Sequence, residues 1–222
     1  EMCIRDSTYT ENVDVNKDHL TIKSESGAET TIVQAANPDD HVFEVMANHV
    51  KISGFTIKGT RRNYSAIHLN GVSYTNIVNN ILLENWYGIY LENSSNNLIR
   101  SNTLLKHLPQ SNVFGATAIV LSASNDNKIE SNNILDNDTG IFVGSSNSNV
   151  IEGNTIVGNR YNIELWSSNY TKIINNNLEG ETQVSILLVQ SNDNLIMSNS
   201  MGKGRKSVAI DDSSNNTILS LI

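Results

Sequence analysis

Hydrophobic residues return along this chain in short alternating runs separated by polar turns, and the runs recur about every 22 residues. Segments beginning at Ser73, Ser95, Asn125, Asn147, Asn169 and Asn192 read SYTNIVNNIL, SNNLIRSNTL, NDNKIESNNI, NSNVIEGNTI, NYTKIINNNL and NDNLIMSNSM. Isoleucine holds the fifth position each time: Ile77, Ile99, Ile129, Ile151, Ile173 and Ile196. In the unit starting at Ser73, Ile77, then Leu82, then Ile89 with Leu91 mark three strands too short and too β-branched for helices. Three strands and three turns in a unit of this length make one coil of a parallel β-helix, stacked on the next at about 4.8 Å. A single coil cannot bury its isoleucines alone. The fold class predicted is therefore all-β, a solenoid of about nine coils.

Asparagine supports this reading, because it tolerates the left-handed backbone of tight turns. Asn80, Asn102, Asn132, Asn154, Asn176 and Asn199 stand at the eighth position of their units. Stacking would bond their amides into a ladder along the axis.

Before the regular coils, Asn12–Val15, His19–Ile22, Thr31–Val33 and Val42–Val45 alternate as strands, with a turn at Asn37-Pro38-Asp39-Asp40. Residues 8–47 read as opening coils and 48–222 as regular ones. Glu1–Ser7 share no pattern with the rest and read as a non-native leader, which would make Cys3 non-native; a genuine N-terminus is the alternative. The last residues start another coil without a polar cap, so the expectation is a chain truncated at its C-terminus. With 222 residues and no linker, one domain is expected. The net charge of -8, spread without a basic cluster, argues against nucleic acid. No run of 18 apolar residues predicts membrane insertion.

TYTENVDVNKDHLTIKSESG, then HVFEVMANHVKISGFTIKG, then repeated N-x-I-x-x-N-x-(I/L) units closely resemble the NosD-like parallel β-helix repeat proteins of the pectate-lyase-like superfamily. The resemblance covers nearly everything after Ser7. Together with the crossover rule for parallel strands, it implies a right-handed, single-stranded solenoid. It implies little about reaction, since such folds include lyases, hydrolases, esterases, epimerases and inactive proteins. The NosD name implies a periplasmic accessory role in copper-site maturation. Copper(I) favours thiolate and thioether ligands, and Met2, Met46, Met197, Met201 and five scattered histidines support it poorly. The Gly-His-Gly of pectin hydrolases and the Asp-Pro-His-Asp of alginate epimerases are absent, and Asn37–His41 only scrambles the latter.

Register sorts the outward residues into stripes. Arg100, Lys128, Glu130, Glu152 and Lys172 share the first strand; Glu130 and Glu152 suit either an ion-pair ladder or an acid and nucleophile pair. Between the second and third strands, two coils are lengthened, one by Thr60–Tyr64 and one between Lys106 and Thr117. Extended loops on one edge of a repeat array mark a working face. Around that corner the candidate binding residues are Arg61, Arg62, Tyr64, Trp86, Tyr87, Tyr90, His107, Asp138, Arg160, Tyr161 and Glu164. Phe114, Glu181, His68, Phe142 and Trp166 lie nearby. Rings flanked by charged and amide groups suit a sugar chain, stacking on its CH-rich faces and bonding its hydroxyls or uronates. The same rings could instead cover the sheet. His107 and His68 are candidate bases without a partner at fixed spacing.

The reading is a secreted or surface module, with the periplasm as an alternative, that is non-catalytic and carbohydrate-binding or adhesive, with a polysaccharide or surface glycan as its partner. A polysaccharide lyase or hydrolase and an envelope spacer are the alternatives. No cofactor is expected, or Ca²⁺ for a lyase. Sequons at Asn63, Asn93, Asn137, Asn169 and Asn215 are compatible with a glycosylated surface.

Overall fold

The computed structural model describes residues 2–107, 115–180, 182–202 and 204–221. Every named element there is a strand, and all the strands pair in parallel within three sheets. The first sheet has ten strands, from Met2–Ile4 to Thr217–Leu219. The second and third have nine each, from Ser7–Thr10 to Ser200–Met201 and from Val13–Val15 to Lys206–Asp211. The chain visits them in rotation, which is the solenoid of about nine turns that the repeat demands. Met2–Ile4 already pairs with Thr21–Ser24, so pairing begins inside the segment read as a leader.

Register turns the sequence repeat into a core. Ile22, Ile52, Ile77, Ile99, Ile129, Ile151, Ile173, Ile196 and Ile218 align on the first sheet. The seven from Ile52 to Ile196 are fully buried. At roughly 2 kcal/mol for each such side chain removed from water, this row is a major source of stability, and each coil supplies it only to its neighbours.

The asparagine ladder is present. The Oδ1 of Asn102 accepts from the backbone N–H and side-chain amide of Asn80 at 3.0 and 3.1 Å, and the pattern repeats through Asn132, Asn154, Asn176 and Asn199. The left-handed position falls one residue earlier, at Asn79, Ser101, Ser131, Gly153, Asn175 and Ser198. Serine and glycine serve there as well as asparagine, so the repeated asparagine answers to amide bonding rather than to backbone conformation. A serine ladder runs beside it through Ser94, Ser124, Ser146, Ser168, Ser191 and Ser213. Asn137 is buried in a further ladder, so its sequon is structural.

Candidate functional site

The first two sheets are built mostly from strands of three residues, while the third has strands of six from Ser65–Asn70 onward. In Tyr87–Glu92, Tyr87, Tyr90 and Glu92 face outward, and Gly88 and Ile89 point inward in succession. A Cβ on Gly88 would lie 2.5 Å from the Ala118 carbonyl oxygen, so this coil takes glycine where its neighbours carry Ala66 and Ala118. The bend brings the Tyr87 and Tyr90 rings together, with centroids 5.5 Å apart.

Repetition of this arrangement carves a groove of about 470 Å³ along the third sheet. One side follows the register Tyr87, Thr117, Thr139, Tyr161, and the other Tyr90, Val120, Phe142, Glu164. At its lip Asp138 pairs with Arg160 at 3.8 Å and accepts the Gly115 N–H at 2.8 Å. The Arg160 guanidinium also lies over the Tyr161 ring, 5.2 Å from its centre. Glu164 is buried; Thr139 Oγ1 donates to one carboxylate oxygen at 3.0 Å and Trp166 Nε1 to the other at 3.2 Å. Burial pushes the Glu164 carboxyl above its ordinary value, against the pull of those two donors.

Beyond Tyr90 the central row continues to His68 and Glu44. Glu92 lies 3.3 Å from His68 Nε2 and Glu44 3.7 Å from Nδ1, although neither nitrogen is aligned for a hydrogen bond and the pairs are ionic only when His68 is protonated. Burial lowers the His68 pKa despite both carboxylates. His41 packs against it at 4.3 Å, and burial together with His68 lowers the His41 pKa to about 4.

Six of the residues proposed from sequence therefore share one groove: Tyr87, Tyr90, Asp138, Arg160, Tyr161 and Glu164. Five lie elsewhere. Trp86 is 6% exposed and offers no ring to a ligand. Arg62 lies over it at 5.9 Å, Arg61 pairs with Asp39 at 4.0 Å, and Tyr64 packs edge-on to His41. His107 is fully buried: its backbone N–H donates to Asn137 Oδ1 and its Nδ1 meets the Asn85 backbone, 3.2 Å from the N–H and 3.1 Å from the carbonyl, so it occupies a ladder position and is no surface base. Phe114 and Glu181 lie outside the described residues. The candidate set lacked Phe142, Val120, Thr117 and Thr139, which register with Tyr90 and Tyr87 would have placed there, and Ser122, which pairs with Glu92. The carboxylates on the first sheet form ion pairs: Lys128 meets Glu130 at 2.6 Å and Glu152 at 3.4 Å, and Arg100 meets Glu130 at 3.8 Å.

A family model described as periplasmic copper-binding protein (NosD) matches residues 4–186. The chain belongs to the NosD family. Comparison with curated proteins finds no match. Among solved structures the chain is similar to pectate lyase Pel9A, with 14% identity, a TM-score of 0.72, and coverage of 96% of this chain and 70% of that one. The periplasmic alginate epimerase AlgG gives 18%, 0.61, 91% and 50%. DFA-IIIase of Arthrobacter chlorophenolicus in complex with DFA-III gives 12%, 0.72, 90% and 57%. The chain thus spans 50–70% of the length of these proteins, and at such identity they share its fold.

Among the described side chains the copper in the family description finds no matching donor set. Among the described residues no three His, Cys, Asp or Glu side chains converge on a point. Met46 follows a third-sheet strand, whereas Met197 lies in the first sheet and Met201 in the second. Nor is any helix long and apolar enough to cross a membrane.

Proposed function

We propose that this protein is a carbohydrate-binding β-helix that works outside the cytoplasm, holding a polysaccharide along its third sheet without cleaving it. The observation that carries this reading is the groove in which Tyr87, Tyr90, Phe142 and Tyr161 line the walls and Asp138, Arg160 and Glu164 stand among them. Rings of this kind take the CH faces of pyranoses, and the carboxylates accept sugar hydroxyls. Tyr90 and Phe142 are two coils apart, about 9.6 Å along the axis, which suits a sugar chain laid parallel to the solenoid. The names of the similar solved structures, a pectate lyase and an alginate epimerase, support polysaccharide as the partner class. The family's periplasmic description supports a location beyond the inner membrane.

A cleaving enzyme is the second reading, and Glu164 favours it. Its desolvated carboxyl stands in the same groove as Asp138, which is held by Arg160, and carboxyls in contrasting environments are what an acid and its partner require. Affinity electrophoresis in gels containing polysaccharides separates the readings when combined with a reducing-end assay. Retardation that Phe142→Ala and Tyr161→Ala abolish, without new reducing ends, supports the binding module. New ends lost in Glu164→Gln would replace it by the enzyme, and absence of any retardation of the folded protein would leave a spacer.

A further inference from the structure

The charges facing the groove and its extension are unbalanced. Asp138 and Glu164 line it, and Glu44 and Glu92 flank His68 further along the same face. Arg160 is the sole cation among the described lining residues, and it is already engaged by Asp138 and by the Tyr161 ring. Arg61 and Arg62 are turned to Asp39 and Trp86. Lys206 stands two coils beyond Tyr161, past Val184, at the end of the sheet. His68 supplies no charge near neutral pH, because burial lowers its pKa.

We infer that the groove selects polysaccharides without acidic groups, an inference that rests on the glycan-binding reading above. The central row Glu44, His68, Tyr90, Val120, Phe142, Glu164 advances one coil at a time. A chain laid along it meets the Glu44 and Glu92 carboxylates at one end and Glu164 at the other, beside the Asp138–Arg160 pair. Uncharged sugars satisfy these oxygens by donating hydroxyl hydrogens, and their CH faces cover the rings. A polyuronate presents a carboxylate on every residue and finds no uncommitted cation in the described groove. Two like-charge encounters at about 6 Å cost roughly tenfold in affinity even at the dielectric of water, and more where solvent is partly excluded. Salt screens such encounters, so the deficit shrinks as ionic strength rises.

The test isolates charge from sugar shape by using one polyuronate before and after chemical reduction of its carboxyl groups to hydroxymethyl groups. Both forms, with uncharged 1,4-linked glucan and xylan oligomers, are titrated calorimetrically against the full chain at low and high salt. The inference expects the uncharged ligands, the reduced polymer among them, to bind at least tenfold more tightly than the uronate at low salt. It also expects the gap to narrow at high salt and Glu164→Gln to strengthen uronate binding. Uronate binding as tight as that of the reduced form overturns the inference while leaving glycan binding intact. The inference also fails if Phe142→Ala leaves the affinity for the uncharged ligands unchanged, which places their binding outside the groove. If no polymer binds the folded chain, the glycan reading itself fails and takes this inference with it.

Discussion

His107 supplies the sharpest quantitative test of how the ladders work. It is fully buried, its Nε2 has no hydrogen-bond partner, and burial lowers its pKa from 6.5 to about 4. In the unfolded chain the imidazole takes up a proton near pH 6.5, while in the folded chain it resists until about pH 4. The stability associated with the neutral ring is therefore fully present above pH 6.5 and drains away as pH falls towards 4. At 1.36 kcal/mol per pH unit the full loss is about 3 kcal/mol, and the portion spent by pH 5 is about 2 kcal/mol. His107→Asn removes the titrating group and restores the residue that Asn137 and Asn159 provide in later coils. The asparagine also removes the unpartnered Nε2, which offsets the smaller volume of its side chain. We expect the two proteins to differ by less than about 1 kcal/mol at pH 7.5. Between pH 7.5 and pH 5 the wild type should lose about 2 kcal/mol more than the variant in urea unfolding followed by circular dichroism. His41 and His68, whose pKa values are also lowered, titrate in both proteins and cancel from the comparison. Equal losses in the two proteins would refute the buried neutral imidazole and return His107 to the list of accessible bases.

Three further outcomes test other parts of the structure. Asn154→Ala strips partners from the Asn132 backbone N–H and the Ile129 carbonyl, each within 2.9 Å of the amide it loses; a cost of about 3 kcal/mol should lower the melting temperature by about 10 °C. Gly88→Ala forces a methyl against the Ala118 carbonyl and should cost about 2 kcal/mol in urea unfolding; it should also weaken polysaccharide retardation by displacing Tyr87 and Tyr90. Lys128→Ala opens an exposed bridge to Glu130 and Glu152 and should change stability by less than about 1 kcal/mol, a difference that vanishes in high salt.

Much of this architecture was legible because a repeat in sequence is a register in space. Once Ile77, Ile99 and Ile129 are aligned, Asn80, Asn102 and Asn132 must stack, and so must Tyr90 and Phe142. What a period does not reveal is a strand that breaks alternation. Gly88 and Ile89 point inward in succession, and strict alternation from Ile89 and Leu91 gives no hint of the resulting bend. Trp86, beside that bend, is carried into the interior instead of the corner face. His107 was misplaced for a different reason. It lies five residues after Asn102, as Asn85, Asn137 and Asn159 lie five after Asn80, Asn132 and Asn154, so a second ladder was written in the spacing. A change of residue type at one rung, next to a lengthened turn, hid it.

The outer surface argues for a ligand because its sheets are finished differently. On the first sheet the outward row of Arg100, Glu130 and Glu152, with Lys128 beside it, satisfies itself with ion pairs and keeps the face wet. On the third, the outward row runs His68, Tyr90, Val120, Phe142, Glu164 and Leu187. His68, Val120 and Glu164 in that row are buried and Tyr90, Phe142 and Leu187 half-buried, so the rings and aliphatic side chains stand only partly open to solvent, outside the core proper. The core does not require them, since Ile89, Ile119, Ile141 and Ile163 fill the inward side whatever stands outside. A spacer would be served as well by the charged finish of the first sheet. The apolar row is useful when something covers it, and carboxylates set among the rings call for a partner with both CH faces and hydroxyls. A sugar chain has both at every residue.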